Sequence, residues 1–333
     1  MQILRKRAYA RAGLIGNPSD GYFGKTISLI VPRFHADVVL YEWPVLEILW
    51  SQEDQGRFRS LRELTRDVEL HGYYGGVRLV KATIRRFVDY CDAQGLELHK
   101  RTFSIRYESN IPRQVGLAGS SAIIIATLRA LMEFYNVDIP RQVQPSLALS
   151  VETDELGISA GLQDRVIQVY EGLVYMDFAR DRMKDHHGFQ CGEYEPLDPD
   201  LLPPLYLAFS TSVGEPTEVT HGPLSERYRQ GDLEVHAAMD RFAELTVRAR
   251  AVLENGEPEK LGELLDQNFD ERRRIMDLSP GHLRMVEAAR AAGASAKFSG
   301  SGGAIIGSYT DDAMFTALKQ TLERIGCDVF RLN

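Results

Sequence analysis

Apolar positions recur along this chain with two different periods. Between Thr26 and Val31, Ala36 and Tyr41, and Thr102 and Glu108 they alternate or cluster in short β-branched stretches, which predicts strands. Over Tyr74 to Gln94, Ser120 to Tyr135 and Gln142 to Gly157 they return with the helical period, which predicts helices. The first half therefore reads as α+β. A polar stretch from Ala179 to Asp200, rich in charge, His and Pro, leads to Pro203-Pro204 and a new strand, Leu205 to Ser210. Beyond it the pattern gives long amphipathic helices, roughly Leu233 to Glu254, Pro258 to Ile275 and Pro280 to Ala292. An apolar run from Ala304, a helix around Asp311 to Ile325 and a last strand complete it. The change of pattern divides the chain into residues 1–185 and 201–333.

Composition narrows the function classes. With 333 residues and 44% hydrophobic content the chain can bury a sizeable core, and its length suits about two domains. A formal net charge of −8 argues against a nucleic-acid surface, and the basic run Arg272-Arg273-Arg274 is too short to overturn that. The three cysteines, Cys91, Cys191 and Cys327, form no C-x-x-C pair and support neither a disulfide framework nor a thiolate metal site. No apolar run approaches the roughly 18 residues of a membrane helix, and Met-Gln-Ile-Leu-Arg-Lys-Arg is no secretion signal. The expectation is a cytoplasmic protein with neither nucleic acid nor membrane as partner; nothing in the sequence sets its oligomeric state.

Three loops carry the chemistry. In Ile111 to Ala122 a glycine-rich turn with two serines runs into the apolar segment Ile123 to Leu131. Gly116 and Gly119 free the backbone there, so several N–H groups can converge on an anion at a helix start, where the dipole adds its positive end. An ordinary loop with a serine cap has the same appearance. A second cluster, Lys297-Phe298-Ser299-Gly300-Ser301-Gly302-Gly303, feeds an apolar run typical of a buried strand. Near the N-terminus, Arg11-Ala12-Gly13-Leu14-Ile15 breaks into Gly16-Asn17-Pro18-Ser19-Asp20-Gly21-Tyr22-Phe23-Gly24.

In content and in order, these segments resemble the GHMP kinases, the family of galactokinase, homoserine kinase, mevalonate kinase and phosphomevalonate kinase. Its motifs read approximately P-G-R/K-V-N-L-I-G-E-H-x-D, P-x-x-x-G-L-G-S-S-A and K-x-S/T-G-x-G-G-G. The resemblance spans nearly the whole chain. It implies a two-domain α+β kinase with ATP and Mg²⁺ bound beside a small-molecule acceptor in an interdomain cleft. Phosphoryl transfer needs phosphate positioning, a metal and an oriented acceptor hydroxyl. The implied nucleotide cradle is Pro112, Gly116, Leu117, Ala118, Gly119, Ser120 and Ser121, with Ser299, Gly300, Ser301 and Gly302 from the third motif.

The same resemblance puts Mg²⁺ on Ser121 and Glu152, and the acceptor proton on Asp164, twelve residues after Glu152. Taken alone, Glu152 reads as a solvated helix charge, like Asp154 and Glu155 beside it, and Asp164 as a helix cap. Arg11 falls on the motif's basic position, where it would pair with Asp164 and stabilise charge on the transferred group. Aspartates are weak bases in general, so orientation of the hydroxyl counts for more than proton removal.

Departures from the general pattern bear on the acceptor. Gly16 to Ser28, Tyr73 to Leu79, Ala160 to Tyr170 and Asn268 to Arg273 resemble the sugar-acid kinases of the family. They imply phosphorylation of the anomeric hydroxyl of D-glucuronate to 1-phospho-α-D-glucuronate, with other sugars, sugar acids or isoprenoid alcohols as alternative acceptors and a non-catalytic nucleotide-binding regulator on the same fold as the alternative to an enzyme. The residues placed at this acceptor are Asn17, Asp20, Tyr22, Tyr74, Arg78 and Arg272. A buried substrate carboxylate needs a cation or backbone donors, hence the arginines. A surface helix arginine and a core tyrosine are the ordinary alternatives.

Overall fold

Alternating burial along Ile3–Ile15 builds the first strand, β1, which pairs antiparallel along nearly its whole length with β2, Lys25–Glu42. The computed structural model describes residues 3–49, 75–211 and 218–332, with side chains omitted over 218–223. The two strands expected over Thr26 to Tyr41 are thus one long strand. A register shift opposite Tyr9 and Ala10 lets it bend without breaking.

The other edge of β2 is shared. Its second half pairs with β4 (Phe103–Ser109), to which the short β3 (Glu47–Ile48) adds in parallel, and its first half pairs with β5 (Leu173–Asp177). The polar stretch after Phe178 forms a hairpin, β6 (Lys184–His186) and β7 (Phe189–Cys191), and then β8 (Glu193–Leu197), which returns to pair with β5. The first sheet therefore reaches Leu197. A second sheet has the order β10-β11-β9-β12, from Leu205–Ser210 (β9), Lys297–Phe298 (β10), Ala304–Ser308 (β11) and Cys327–Arg331 (β12).

Helices α2 (Gly119–Tyr135) and α4 (Gln163–Tyr170) lie on β1 and β2, while α1 (Gly76–Ala93) packs outside α2 and α3 (Gln144–Ser150) outside α4. In α1 the buried positions Leu79, Val80, Thr83, Phe87, Tyr90 and Cys91 make one stripe. In the second half α5 (Glu218–Arg229), α6 (Leu233–Glu254) and α7 (Leu261–Ile275) precede α8 (Pro280–Ala291) and α9 (Asp312–Glu323).

Strand β9 is buried on both sides, and its period of two divides the core. Leu205, Leu207 and Phe209 join Leu245, Leu253 and Leu265 of α6 and α7 in the cluster that also holds Val38, Leu40 and Ile124 of the first half. Tyr206 and Ala208 face Met285, Val286, Leu318 and Leu322 of α8 and α9. One continuous apolar core thus runs under both sheets. None of the described helices is long and apolar enough to cross a membrane.

Candidate active site

Where the halves meet, the three expected loops touch. Gly116 is left-handed, with φ 71°, and a Cβ there would stand 3.0 Å from both Gly302 O and Ser301 N. Gly300 lies just as close from the other side, since its Cβ would meet Gly116 O and stand 2.8 Å from Arg11 Nη1. Only glycine permits this approach of backbone to backbone. Gly119, by contrast, is helical, and the left-handed residue at the start of α2 is Ala118, with φ 61°. Gln168 holds that strained turn, as its Nε2 donates to Ala118 O at 2.9 Å and Tyr9 O at 3.1 Å. The first-turn N–H groups of α2 then have no helical acceptor, which leaves them available to an anion.

Arg11 is the hub. Its Nε donates to Asp164 Oδ1 at 2.6 Å, and its Nη1 to Gly116 O at 2.5 Å and Ser299 O at 3.0 Å, so one side chain binds the second and third loops to the acid. Gly13 N also donates to Ser299 O, at 2.7 Å. Asp164 begins α4, and Asp20 of the first loop approaches it and accepts a hydrogen bond from Gln163 N at 3.3 Å. Burial and the neighbouring Asp164 raise the Asp20 pKa to about 6.

The metal-side groups divide differently from expectation. Glu152 is buried in a wide π-type turn, Val151–Glu155, that continues α3. Its Oε1 accepts from Ser120 Oγ at 2.9 Å, while Ser121 Oγ turns back to Ala118 O at 3.2 Å and is fully buried. Glu152 Oε2 forms an ion pair with Arg165 Nη2. Among the described residues no three His, Cys, Asp or Glu side chains gather into a metal cage. A hydroxyl and a carboxylate nevertheless fit Mg²⁺, which takes oxygen ligands and keeps waters and substrate phosphates for the rest of its shell.

The expected acceptor residues scatter. Asn17 is buried, with Oδ1 accepting from Lys297 Nζ at 2.6 Å, Nδ2 donating to Phe298 O at 3.3 Å and its carbonyl receiving Asn268 Nδ2 at 3.2 Å. Arg272 is buried as well. Its Nη1 and Nη2 donate to Gly300 O at 2.7 Å and Ser301 O at 3.0 Å, bracing the third loop. Tyr22 lies against Tyr228 with its hydroxyl 2.9 Å from Ser225 Oγ, while Arg78 is exposed in the first turn of α1. Tyr74 lies outside the described residues. In the cradle, Pro112 is half-buried and the Leu117 side chain is in the core.

Sequence reasoning overlooked Arg165, Gln168, Asn268 and the side chain of Lys297. Lys297 Nζ is satisfied by three neutral oxygens, Gly13 O at 2.7 Å, Phe298 O at 2.8 Å and Asn17 Oδ1, and burial takes its pKa well below the usual lysine value. The buried arginine and lysine side chains among the described residues are Arg11, Arg165, Arg272 and Lys297, and all four belong to this cluster. Buried cations are costly unless paired, so their concentration beside a glycine cradle marks a place built for an anion. For Gln168 there was a signal, since it is a polar position inside the otherwise apolar run Val166 to Tyr170.

Known proteins resemble this chain in sequence and in fold. The GHMP kinases N terminal domain matches residues 78–172. Glucuronokinase 1 of Arabidopsis thaliana is 44% identical over 310 residues, covering 91% of this chain and 84% of the plant protein. Probable glucuronokinase 2 of the same plant is 43% identical over similar shares. Among solved structures, Lactococcus lactis galactokinase complexed with galactose superposes with a TM-score of 0.77 at 17% identity, over 99% of this chain and 93% of that one. Streptococcus pneumoniae phosphomevalonate kinase in complex with phosphomevalonate and AMPPNP gives 0.75 at 18% identity, over 99% and 100%. The chain belongs to the GHMP kinase family.

Proposed function

We propose that this protein is an ATP- and Mg²⁺-dependent sugar-acid kinase that phosphorylates the anomeric hydroxyl of D-glucuronate, giving 1-phospho-α-D-glucuronate. The observation that carries the reading is the Arg11–Asp164 pair at 2.6 Å, held between two interlocked glycine loops. Similarity to the plant glucuronokinases over nine-tenths of the chain supports the acceptor.

In this reading Gly116 to Ser121 and Ser299 to Gly302 cradle the phosphates through backbone N–H groups and the start of α2. Glu152 and Ser120 would hold Mg²⁺ through their oxygens, and the ion would supply neutralisation of charge on the nucleotide phosphates. Asp164 orients the acceptor hydroxyl and takes its proton, Arg11 stabilises charge developing on the transferred group, and Asp20 accepts from a sugar hydroxyl. Arg272 and Asn17 act at one remove, by holding the third and first loops. A cytoplasmic setting, where ATP is available, belongs to the same reading.

The test is ADP release by purified protein with ATP, Mg²⁺ and a panel of D-glucuronate, D-galacturonate, galactose, arabinose and mevalonate. Selective turnover of D-glucuronate, reduced at least about 10²-fold by Asp164→Asn, supports the reading. Selective turnover of another compound discards the acceptor, and ATP binding without turnover of any panel member discards the kinase assignment for this set.

A further inference from the structure

One buried contact has no part in these roles. Arg165 and Glu152 form an ion pair in which each side chain is 3% exposed. Glu152 is already engaged on its other oxygen by Ser120 Oγ at 2.9 Å. The guanidinium also donates through Nη1 to Gly161 O at 2.7 Å, and the same nitrogen lies 3.7 Å from Asp164 Oδ2. Its Nε, buried, has no hydrogen-bond partner among the described residues. One side chain thus bridges the carboxylate on the metal side and the carboxylate on the acceptor side, with a donor in reserve.

Charge governs which ligands this arrangement admits. A divalent cation arriving alone would face a carboxylate hydrogen-bonded through one oxygen and ion-paired through the other, with a cation already on the spot, while Arg11 holds Asp164 from the other side. Nucleotide phosphates bring several negative charges and reverse that balance. The reserved Nε and the nearby Asp164 give the displaced guanidinium other acceptors.

We propose that Arg165 is a positioning residue that occupies the cation place on Glu152 in the nucleotide-free protein, so that a divalent cation is taken up only together with nucleotide. The inference rests on the kinase reading for the role of Glu152. Its consequence is an order of events in which the site assembles around a metal–nucleotide pair and does not fill with metal first.

Mn²⁺ is the probe, titrated into the protein and followed by the paramagnetic resonance signal of the free ion. The wild type is expected to bind no stoichiometric Mn²⁺ without nucleotide and one per chain with ADP. Arg165→Gln is expected to gain a nucleotide-independent site at least about tenfold tighter than wild type, because a like charge has left the carboxylate. The double variant Arg165→Gln/Glu152→Gln is expected to lose it. No gain in folded Arg165→Gln overturns the proposal. So does nucleotide-independent Mn²⁺ binding by the wild type that Glu152→Gln abolishes, a result that needs no Arg165 variant to fold. Failure of the kinase reading is a separate outcome, seen as absence of ADP release from the wild type with every acceptor of the panel.

Discussion

Asp20 carries opposed demands, and its pH dependence separates them. Its pKa of about 6 lies above the ordinary carboxylate value because burial and Asp164 disfavour the charged form. Between the unfolded and folded values the native state holds a proton that the unfolded chain has released, so stability falls as pH rises through that window, and above pH 6 the full cost remains. Asp20→Asn is therefore expected to be stabilising above pH 6, by at most about 3 kcal/mol, and neutral below about pH 4. Denaturant titrations of both proteins across this range check it; a pH-independent difference contradicts the assignment. The same variant is expected to raise KM for the acceptor. Asp20 was legible because it falls on a motif position. Lys297 and Arg165 were not legible as buried cations, because burial of a charge depends on what the fold brings to it: Gly13 and Asn17 reach Lys297 from the other end of the chain, and Glu152 reaches Arg165 across the turn between two helices.

At the scale of elements, the site is two glycine loops and one strand end clamped by arginines. Glycine content made both loops visible in the sequence, and their mutual contact gives that content a physical reason, since Gly300 has Gly116 O and Arg11 Nη1 where a Cβ would go. Gly300→Ala is expected to push the loops apart and shift Arg11, lowering kcat/KM for ATP by about 10²-fold, the effect of a misplacement of about 1 Å. Steady-state kinetics with an ATP titration check this, and an unchanged kcat/KM contradicts it. The left-handed start of α2 was less legible. Gly119 looked like the flexible position, whereas Ala118 takes the left-handed conformation with Gln168 holding its carbonyl. Local sequence favours glycine at such a turn, and a distant side chain overrides that preference. Likewise the break expected between Val31 and Ala36 is absorbed by a register shift against β1.

For the whole molecule, the sequence pattern suggests two parts, and the apolar core that they share was not legible in it. The main apolar cluster includes Val38 and Ile124 from the first half together with Leu207, Leu253 and Leu265 from the second, and Arg11, Lys297 and Asn268 stitch the halves with buried hydrogen bonds. Neither half can expose its side of this core cheaply. Thermal unfolding followed by far-ultraviolet and near-ultraviolet circular dichroism is expected to give one coincident transition; two separated transitions contradict a shared core. The chain as a whole is acidic, with a net charge of −8, yet among the described residues it gathers its buried cations where the three loops meet. An anionic nucleotide and an anionic sugar acid are ligands that suit such a place. The direct test is ³¹P magnetic resonance of a reaction with ATP, Mg²⁺ and D-glucuronate. The account predicts a new phosphomonoester signal coupled to an α-anomeric proton as ADP appears. A phosphorylated product substituted at any other carbon, or no product while ATP stays bound, contradicts it.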